Sequence, residues 1–481
     1  MKRLVFIVVC IAAGVLAGCN VGPKYKKPSV PMAAGYKESL PDYFKEGQGW
    51  KTAQPGDQTL RGDWWEIFGD PELNALEQEL TISNQDLKAA EARFRQARAM
   101  IRFNRASEFP TISTSPSISS LRDSSNRPYF PANVNATGDF VLPFDVSYEV
   151  DLWGRVRHTV SSAREEAQAT AADLETASLT LHAELAMDYF ELRSADAQKQ
   201  LLDDTVKAYT DAVQLTTARF QGGVAPKADV AQAQTQLDQT RVQDTDVGVQ
   251  RAQFEHAIAV LIGKPPAAFT LGPTPLNLQP PSVPVGLPSE LLERRPDIAA
   301  AERRVAEANE QIGIAKAAYY PTVTLSASGG FEGTGILNWF TWPSRFWAVG
   351  PQMLQTIFDG GRRRATSEQA LANYDATVAT YRQSALSAFQ EVEDNLAALR
   401  ILEQETQQQK NAVASAEESL QLSTNRYTGG LDNYLTVLTA QTIALANERN
   451  DVDIQRRRMD ASVLLVKAVG GGWNVAKLPK L

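Results

Sequence analysis

The sequence predicts a mainly α-helical chain with a smaller β part of membrane-spanning length, built as two similar halves. Three observations carry that fold class. The first is the stretch 361–470, which reads as two very long helices joined by a short turn at Arg426-Tyr427-Thr428-Gly429-Gly430. The second is its twin. Arg219-Phe220-Gln221-Gly222-Gly223 lies over that turn. The same offset, held without a gap, sets Ala233-Gln234-Thr235 over Ala440-Gln441-Thr442 and Gly263 over Gly470. An internal repeat of this size decides the architecture before any local reading does. The third is 140–151, which alternates strictly. Phe140, Leu142, Phe144, Val146, Tyr148 and Val150 point one way, and Asp145, Ser147, Glu149 and Asp151 the other. That is a strand of period two with one apolar and one acidic face.

Length and composition set the bounds. The 481 residues alone suggest about three domains, but the repeat argues for one body. A hydrophobic content of 43% and a net charge of -8 describe a globular chain, not a disordered one. The acidic balance argues against nucleic acid as a partner. His158, His182 and His256 are too scattered for a metal cluster, and no catalytic constellation or cofactor motif stands out.

The chain opens with an address. Lys2-Arg3 precede an apolar run at 4–15 and then Leu16-Ala17-Gly18-Cys19. Residues 1–18 read as a secretory signal peptide, too short to span a membrane. The Leu-Ala-Gly-Cys end resembles the lipobox of bacterial lipoproteins, in which the Cys is acylated and becomes the first mature residue. Cys19 is therefore the expected lipidation site. Cys10 leaves with the signal, so no intrachain disulfide can form. One acyl chain anchors only marginally, at roughly 0.8 kcal/mol per buried CH₂. Asn20, where an Asp would favour retention at the inner membrane, points to the outer membrane.

Taken in order, residues 19–69 form a lipidated extended arm over the body, its end pinned by Trp64-Trp65-Glu66-Ile67-Phe68. The first repeat spans 70–264. Asp70-Pro71-Glu72 starts a helix that runs to about Glu108, with a break near Ser83-Asn84. Phe109-Pro110 ends it. A first strand is expected at 111–122 and the alternating strand at 140–151, near the roughly 9–11 residues of a tilted membrane strand. Helices follow at 155–218 and 226–262. Residues 265–288, with eight prolines, are a connector that cannot be regular. The second repeat, 289–473, restates the plan. Arg295-Pro296-Asp297-Ile298 lies over Asn84-Gln85-Asp86-Leu87 and Tyr320-Pro321 over Phe109-Pro110. Strands are expected at 323–331 and, more weakly, 347–358, around a tip loop carrying Trp339, Phe340 and Trp342. Residues 474–481 are a tail.

The helices themselves say wall, not ball. Leu371, Tyr374, Val378, Tyr381, Ala385, Ala388, Val392, Leu399 and Leu402 form a heptad seam, with Leu386, Phe389 and Leu396 beside it. The first-half seam is Ala167, Ala171, Leu174, Ser178, Leu181 and Leu185. Some 65 helical residues span on the order of 100 Å, a length no ordinary core requires. Four strands per chain cannot close a barrel, and an open edge in lipid is forbidden. Two copies would supply about eight strands, whose interior side chains nearly fill, and three about twelve, which leaves a bore.

At this point a resemblance becomes specific. The lipobox, WWEIFGDPELNALEQEL, GLPSELLERRPDIAAAERRVAEANEQIGIAKAAYYPTVTL, FDGGRRR, NRYTGGLDNYLTVLTAQ and the closing VGGGW follow one another in order. Together they resemble the outer membrane factor family, in its lipoprotein branch serving resistance–nodulation–division efflux systems. The resemblance implies a homotrimer with a 12-stranded barrel in outer membrane lipid and a helical tunnel across the periplasm. It implies partners: a periplasmic adaptor protein and an inner-membrane pump.

It also implies sites. The turns at 219–229 and 426–436 would lie at the far periplasmic tip, with Gly222, Gly223, Gly429 and Gly430 permitting a tight backbone and receiving the adaptor. In that family tyrosine and aspartate contacts between helix pairs shut this end. The matching gate candidates are Arg219, Asp229, Arg426, Tyr427 and Asp432, which otherwise cap or pack the turns. Family members often carry Asp where this chain has Thr436 and Thr439, so the acidic constriction is weakened or moved to Asp432. Arg362-Arg363-Arg364 and Arg456-Arg457-Arg458 read as solvated helix faces, the first with an option on lipid headgroups. Gly470-Gly471-Gly472 lacks the Lys-Ser/Thr of a phosphate loop and reads as a helix break. The functional expectation is a passive exit duct that is not an enzyme. A protein-secretion conduit and a periplasmic coiled-coil scaffold are the alternatives, and the substrate stays open.

Overall fold

The computed structural model describes residues 20–31, 35–38, 63–122, 124, 136–276, 279–281, 283, 291–473, 475–479 and 481. The signal peptide, Cys19, most of the arm and the last prolines of the connector lie outside the described residues.

The first two helices start where their caps dictate. Asp70 accepts from Glu72 N and Leu73 N, and Pro71 opens α1 (Pro71–Ser83). Asn84 then caps α2 (Gln85–Arg105) through Leu87 N, so the expected break falls there. The sheet follows: β1 (Thr111–Thr114), β2 (Ser117–Leu121) and β3 (Thr137–Val150). Two long helices close the first half, α3 (Arg155–Gln221) and α4 (Lys227–Leu261). The second half repeats the order with α5 (Leu291–Arg294), α6 (Pro296–Ala317), β4 (Thr322–Gly333), β5 (Arg345–Leu354), α7 (Arg362–Thr428) and α8 (Tyr434–Ala468). The twin helices match in length: α3 and α7 have 67 residues each, α4 and α8 have 35. Among the described residues no helix is long and apolar enough to cross a membrane.

Three sequence expectations are corrected. The strand at 111–122 breaks at Ser115-Pro116 into β1 and β2, both paired with β3. Pro116 has no N–H to give the ladder. Asp151 is not the last acidic residue of β3. Its carboxylate accepts from Val156 N (3.1 Å) and Arg157 N (2.9 Å) and so starts α3. The last strand sits earlier than 347–358, and 355–358 are not strand.

The sheet is an antiparallel meander, with β1 and β2 on one side of β3 and then β4 and β5. Its register sorts the side chains. Residues directly opposite share a face. Phe140, Leu142, Phe144, Val146 and Tyr148 oppose Gly333, Phe331, Gly329, Ala327 and Leu325, and the last three of these oppose Trp347, Val349 and Pro351 on β5. The other face carries Asp145, Ser147 and Glu149 opposite Ser328, Ser326 and Thr324, with Gln352 beyond. The first face is mainly apolar, with Thr114 and Arg345 as exceptions, and the second is polar along its middle but also carries Val141, Pro143, Phe346 and Leu354. Among the described residues, neither outer row, β1 with β2 on one side and β5 on the other, has a strand beyond it.

The core lies at the middle of the long helices. Trp64, Trp65 and Phe68 are buried there with Tyr189, Phe190, Leu399 and Leu465. Trp65 stacks on His182 at 4.4 Å, and His182 Nδ1 lies 2.6 Å from the fully buried Glu77. Burial raises the Glu77 carboxyl and lowers His182 to about 4, so it disfavours charge on both partners. The described arm does lie over the body. Asn309 donates to Pro23 O, Arg382 to Ser29 O, and the Glu393 carboxylate accepts from Lys37 N and Glu38 N. The α7 seam is buried from Tyr381 down to Leu402, but Leu371 near its top is 46% exposed.

Candidate functional site

Each long hairpin ends in the same turn. At the first, Gly223 N donates to Phe220 O (2.9 Å) and Val224 N to Arg219 O (3.0 Å). At the second, Gly430 N donates to Tyr427 O (3.0 Å) and Leu431 N to Arg426 O (2.9 Å). Gly223 and Gly430 both have φ of 74°, the left-handed conformation in which a side chain is penalised. The glycines singled out in the sequence are therefore helix terminators at both turns.

The side chains differ. Tyr427 is buried against Ala233, Tyr434 and Val437, its ring edge-on to Tyr434 at 5.3 Å. Its hydroxyl donates to Asp229 Oδ2 at 3.1 Å. The Arg219 guanidinium lies 4.8 Å from the centre of the Tyr427 ring and donates from Nη1 to Thr428 O at 2.9 Å. Burial, and then the Asp229 carboxylate, hold the Tyr427 phenol above its ordinary range. It stays protonated at neutral pH and able to donate. Arg219 on α3 and Asp229 on α4 thus grip Tyr427 and Thr428 of the other hairpin. Arg426 and Asp432 form a separate pair at 2.6 Å, more exposed and confined to the second turn. Thr436 completes the Asn433 helix cap, and Thr439 bonds back to Leu435 O.

The five gate candidates therefore fall into two groups. Arg219, Asp229 and Tyr427 form one cross-hairpin contact, and Arg426 and Asp432 form a local one. Sequence reasoning missed the residues behind them. Tyr209 on α3 donates to Gln441 O at 3.2 Å, and Tyr434 faces Gln441 Oε1 at 3.4 Å. Burial pushes the Tyr434 phenol up to about 12. Part of the signal was present: Tyr434 and Gln441 lie one heptad apart on α8 and so share a face, whereas Tyr427 belongs to α7 across the turn.

The basic runs are not both solvated faces. Arg363 pairs with Asp359 at 2.7 Å and Arg364 with the exposed Glu368. Arg456 is a partly buried bridge from α8 to Glu191 on α3, and it also meets Asp453 and Asp460. Arg458 holds Glu403 on α7. These arginines are drawn inward because the seam at mid-helix is acid-rich. Burial, then Glu184 and Glu191, raise Asp188 from 3.8 to about 7. Burial, then Glu191, do the same to Asp460, against the pull of Arg456. Gly470, Gly471 and Gly472 all have positive φ and end α8, as read from the sequence.

The arrangement offers a cross-hairpin contact at the tip of the long helices and a two-faced sheet. Known proteins agree with that description. The family model for outer membrane efflux proteins matches residues 76–264 and 287–471. A toluene efflux pump outer membrane protein, TtgC of Pseudomonas putida, is 31% identical over 97% of this chain and 95% of its own. The pyoverdine export outer membrane protein OpmQ of Pseudomonas aeruginosa is 32% identical over 98% of each. Among solved structures, the outer-membrane channel OprN superposes with a TM-score of 0.85 at 29% identity, covering 95% of this chain and 100% of its own. The chain belongs to the outer membrane efflux protein family.

Proposed function

We propose that three copies of this chain close their sheets into one 12-stranded barrel in the outer membrane and stack their hairpins into a periplasmic tunnel. The tunnel is a passive exit duct for substrates delivered by a periplasmic adaptor and an inner-membrane pump. The observation that carries this reading is the sheet itself: one face mainly apolar, one mainly polar, and, among the described residues, no strand beyond either edge. Unpaired strand edges in lipid are not tolerated, so β5 of one copy meets β1 and β2 of the next. The exposed upper end of the α7 seam fits the same join. A coiled-coil scaffold would have no use for such a sheet.

On this reading residues 1–18 are removed and Cys19 carries the lipid. The repeats run 70–264 and 289–473, joined by the connector 265–288. The Tyr427–Asp229 and Arg219–Thr428 contacts close the tip at rest. The Gly222-Gly223 and Gly429-Gly430 turns present the adaptor surface. Relatives named for toluene, antibiotic and pyoverdine efflux or export support small molecules over proteins as cargo. Purification of the mature protein in detergent tests the assembly. A trimer that conducts ions across a planar bilayer is expected, and a stable, detergent-free monomer without sheet signal would refute it.

A further inference from the structure

The contact between the hairpins does not end at the tip. Tyr209 of α3 lies about 15 Å up the helix from Arg219. Its hydroxyl donates to the backbone oxygen of Gln441 on α8 at 3.2 Å, and Gln236 of α4 faces the same hydroxyl. Tyr434 of α8 turns its hydroxyl to Gln441 Oε1 at 3.4 Å and its ring to Tyr427 of α7. Tyr209, Tyr434 and Gln441 are all buried, on helices that also bury Leu202, Ala233, Val437 and Leu445, whereas the buried Thr216 and Thr240 bond back to their own helices. A buried polar group must find a partner or suffer the loss of its hydration. In a helical seam such a group therefore fixes which faces meet.

We infer that Tyr209 and Gln441, with Tyr434 beneath them, form a second latch between the two hairpins, behind the Tyr427–Asp229 contact. It keeps the hairpins engaged when the tip alone is released. The inference deepens the proposed gate and rests on it. The geometry favours a separable layer. The Tyr209 bond runs to backbone, so it survives any side-chain change at the tip. Tyr434 touches both layers and would pass a tip displacement to Gln441.

Single-channel current of the reconstituted protein tests this with Tyr427→Phe, Tyr209→Phe and the double variant. Each removes one hydroxyl and keeps the ring. Tyr189→Phe is the control, since it removes an equally buried hydroxyl that bonds Asp70 far from this seam. The expected result is a rise for Tyr427→Phe, little change for Tyr209→Phe, and a double variant about twofold or more above the product of the two, the signature of coupled residues. Tyr189→Phe should show no such coupling. If Tyr427→Phe raises the current but Tyr209→Phe adds nothing, or if Tyr189→Phe couples equally, the latch is refuted and the tip gate stands. If neither Tyr427→Phe nor Asp229→Asn changes the current, gate and latch fall together.

Discussion

The two hairpin tips have the same backbone and opposite habits. Phe220 and Tyr427 occupy equivalent positions, yet Phe220 is 42% exposed and Tyr427 is 3% exposed. Lys227 is exposed where its counterpart Tyr434 is buried, and Asp229 is buried where its counterpart Thr436 is exposed. Arg219 reaches across to the other hairpin, while Arg426 stays with Asp432 in its own turn. The first tip lacks an acid at the Asp432 position, which is Ala225. Its arginine is therefore free to cross. The repeat supplies two identical turns, and a few side chains make one the clasp and the other the part clasped. The same division holds at mid-helix, where Arg456 is a partly buried bridge but its first-half counterpart Val249 faces outward.

The largest effect that sharpens this comparison is at the aromatic pair. Tyr427→Ala should destabilise the tip by about 3–5 kcal/mol, the range for emptying a buried aromatic site. Phe220→Ala should cost less than about 1 kcal/mol, as for an exposed site. Hydrogen exchange at the two tips reads the difference, and equal costs would mean the tips are not specialised.

The acid-rich seam gives the next effect. Asp188 and Asp460 titrate near 7 in the folded chain, not 3.8. The folded chain therefore binds more protons than the unfolded one between those values, and these two groups lower stability as pH rises through that window. Above about 7 both states are ionised and the penalty is constant. Asp188→Asn with Asp460→Asn should raise thermal stability most at pH 8, and the gain should shrink toward pH 5. A gain independent of pH would show that the seam is not held by its protons.

The turn glycines come next. Gly223→Ala and Gly430→Ala should each cost about 1 kcal/mol, since both demand a left-handed backbone, and nothing lies within 4 Å of either added Cβ. Unequal costs would break the claim that the backbones are equivalent. The smallest effect is the exposed pair. Removing Arg426 should change stability by less than about 1 kcal/mol and less still in high salt, as a melt at two ionic strengths would show.

Much of this was legible in the sequence, where local chemistry decides. The caps at Asp70 and Asn84, the paired turn glycines and the alternation of β3 each follow from one or two residues and their neighbours. The offset between halves fixed which helices match. What was not legible depends on contacts between distant segments. Nothing local distinguishes Phe220 from Tyr427, since both are aromatic at one register. Only Asp229, nearly two hundred residues away, draws the hydroxyl inward. Arg456 and Arg458 look solvated until α3 and α7 bring Glu191 and Glu403 beside them. Asp151 looks like one more acidic strand residue until the next helix needs a cap.

The central claim is that the first hairpin clasps the second and thereby shuts the tunnel. Single-channel conductance of Arg219→Ala with Tyr427→Phe, set against Arg426→Ala with Asp432→Ala, tests it most directly. The account predicts a clear rise for the first pair and little change for the second. Equal currents from both pairs, or a rise confined to the second, would contradict it.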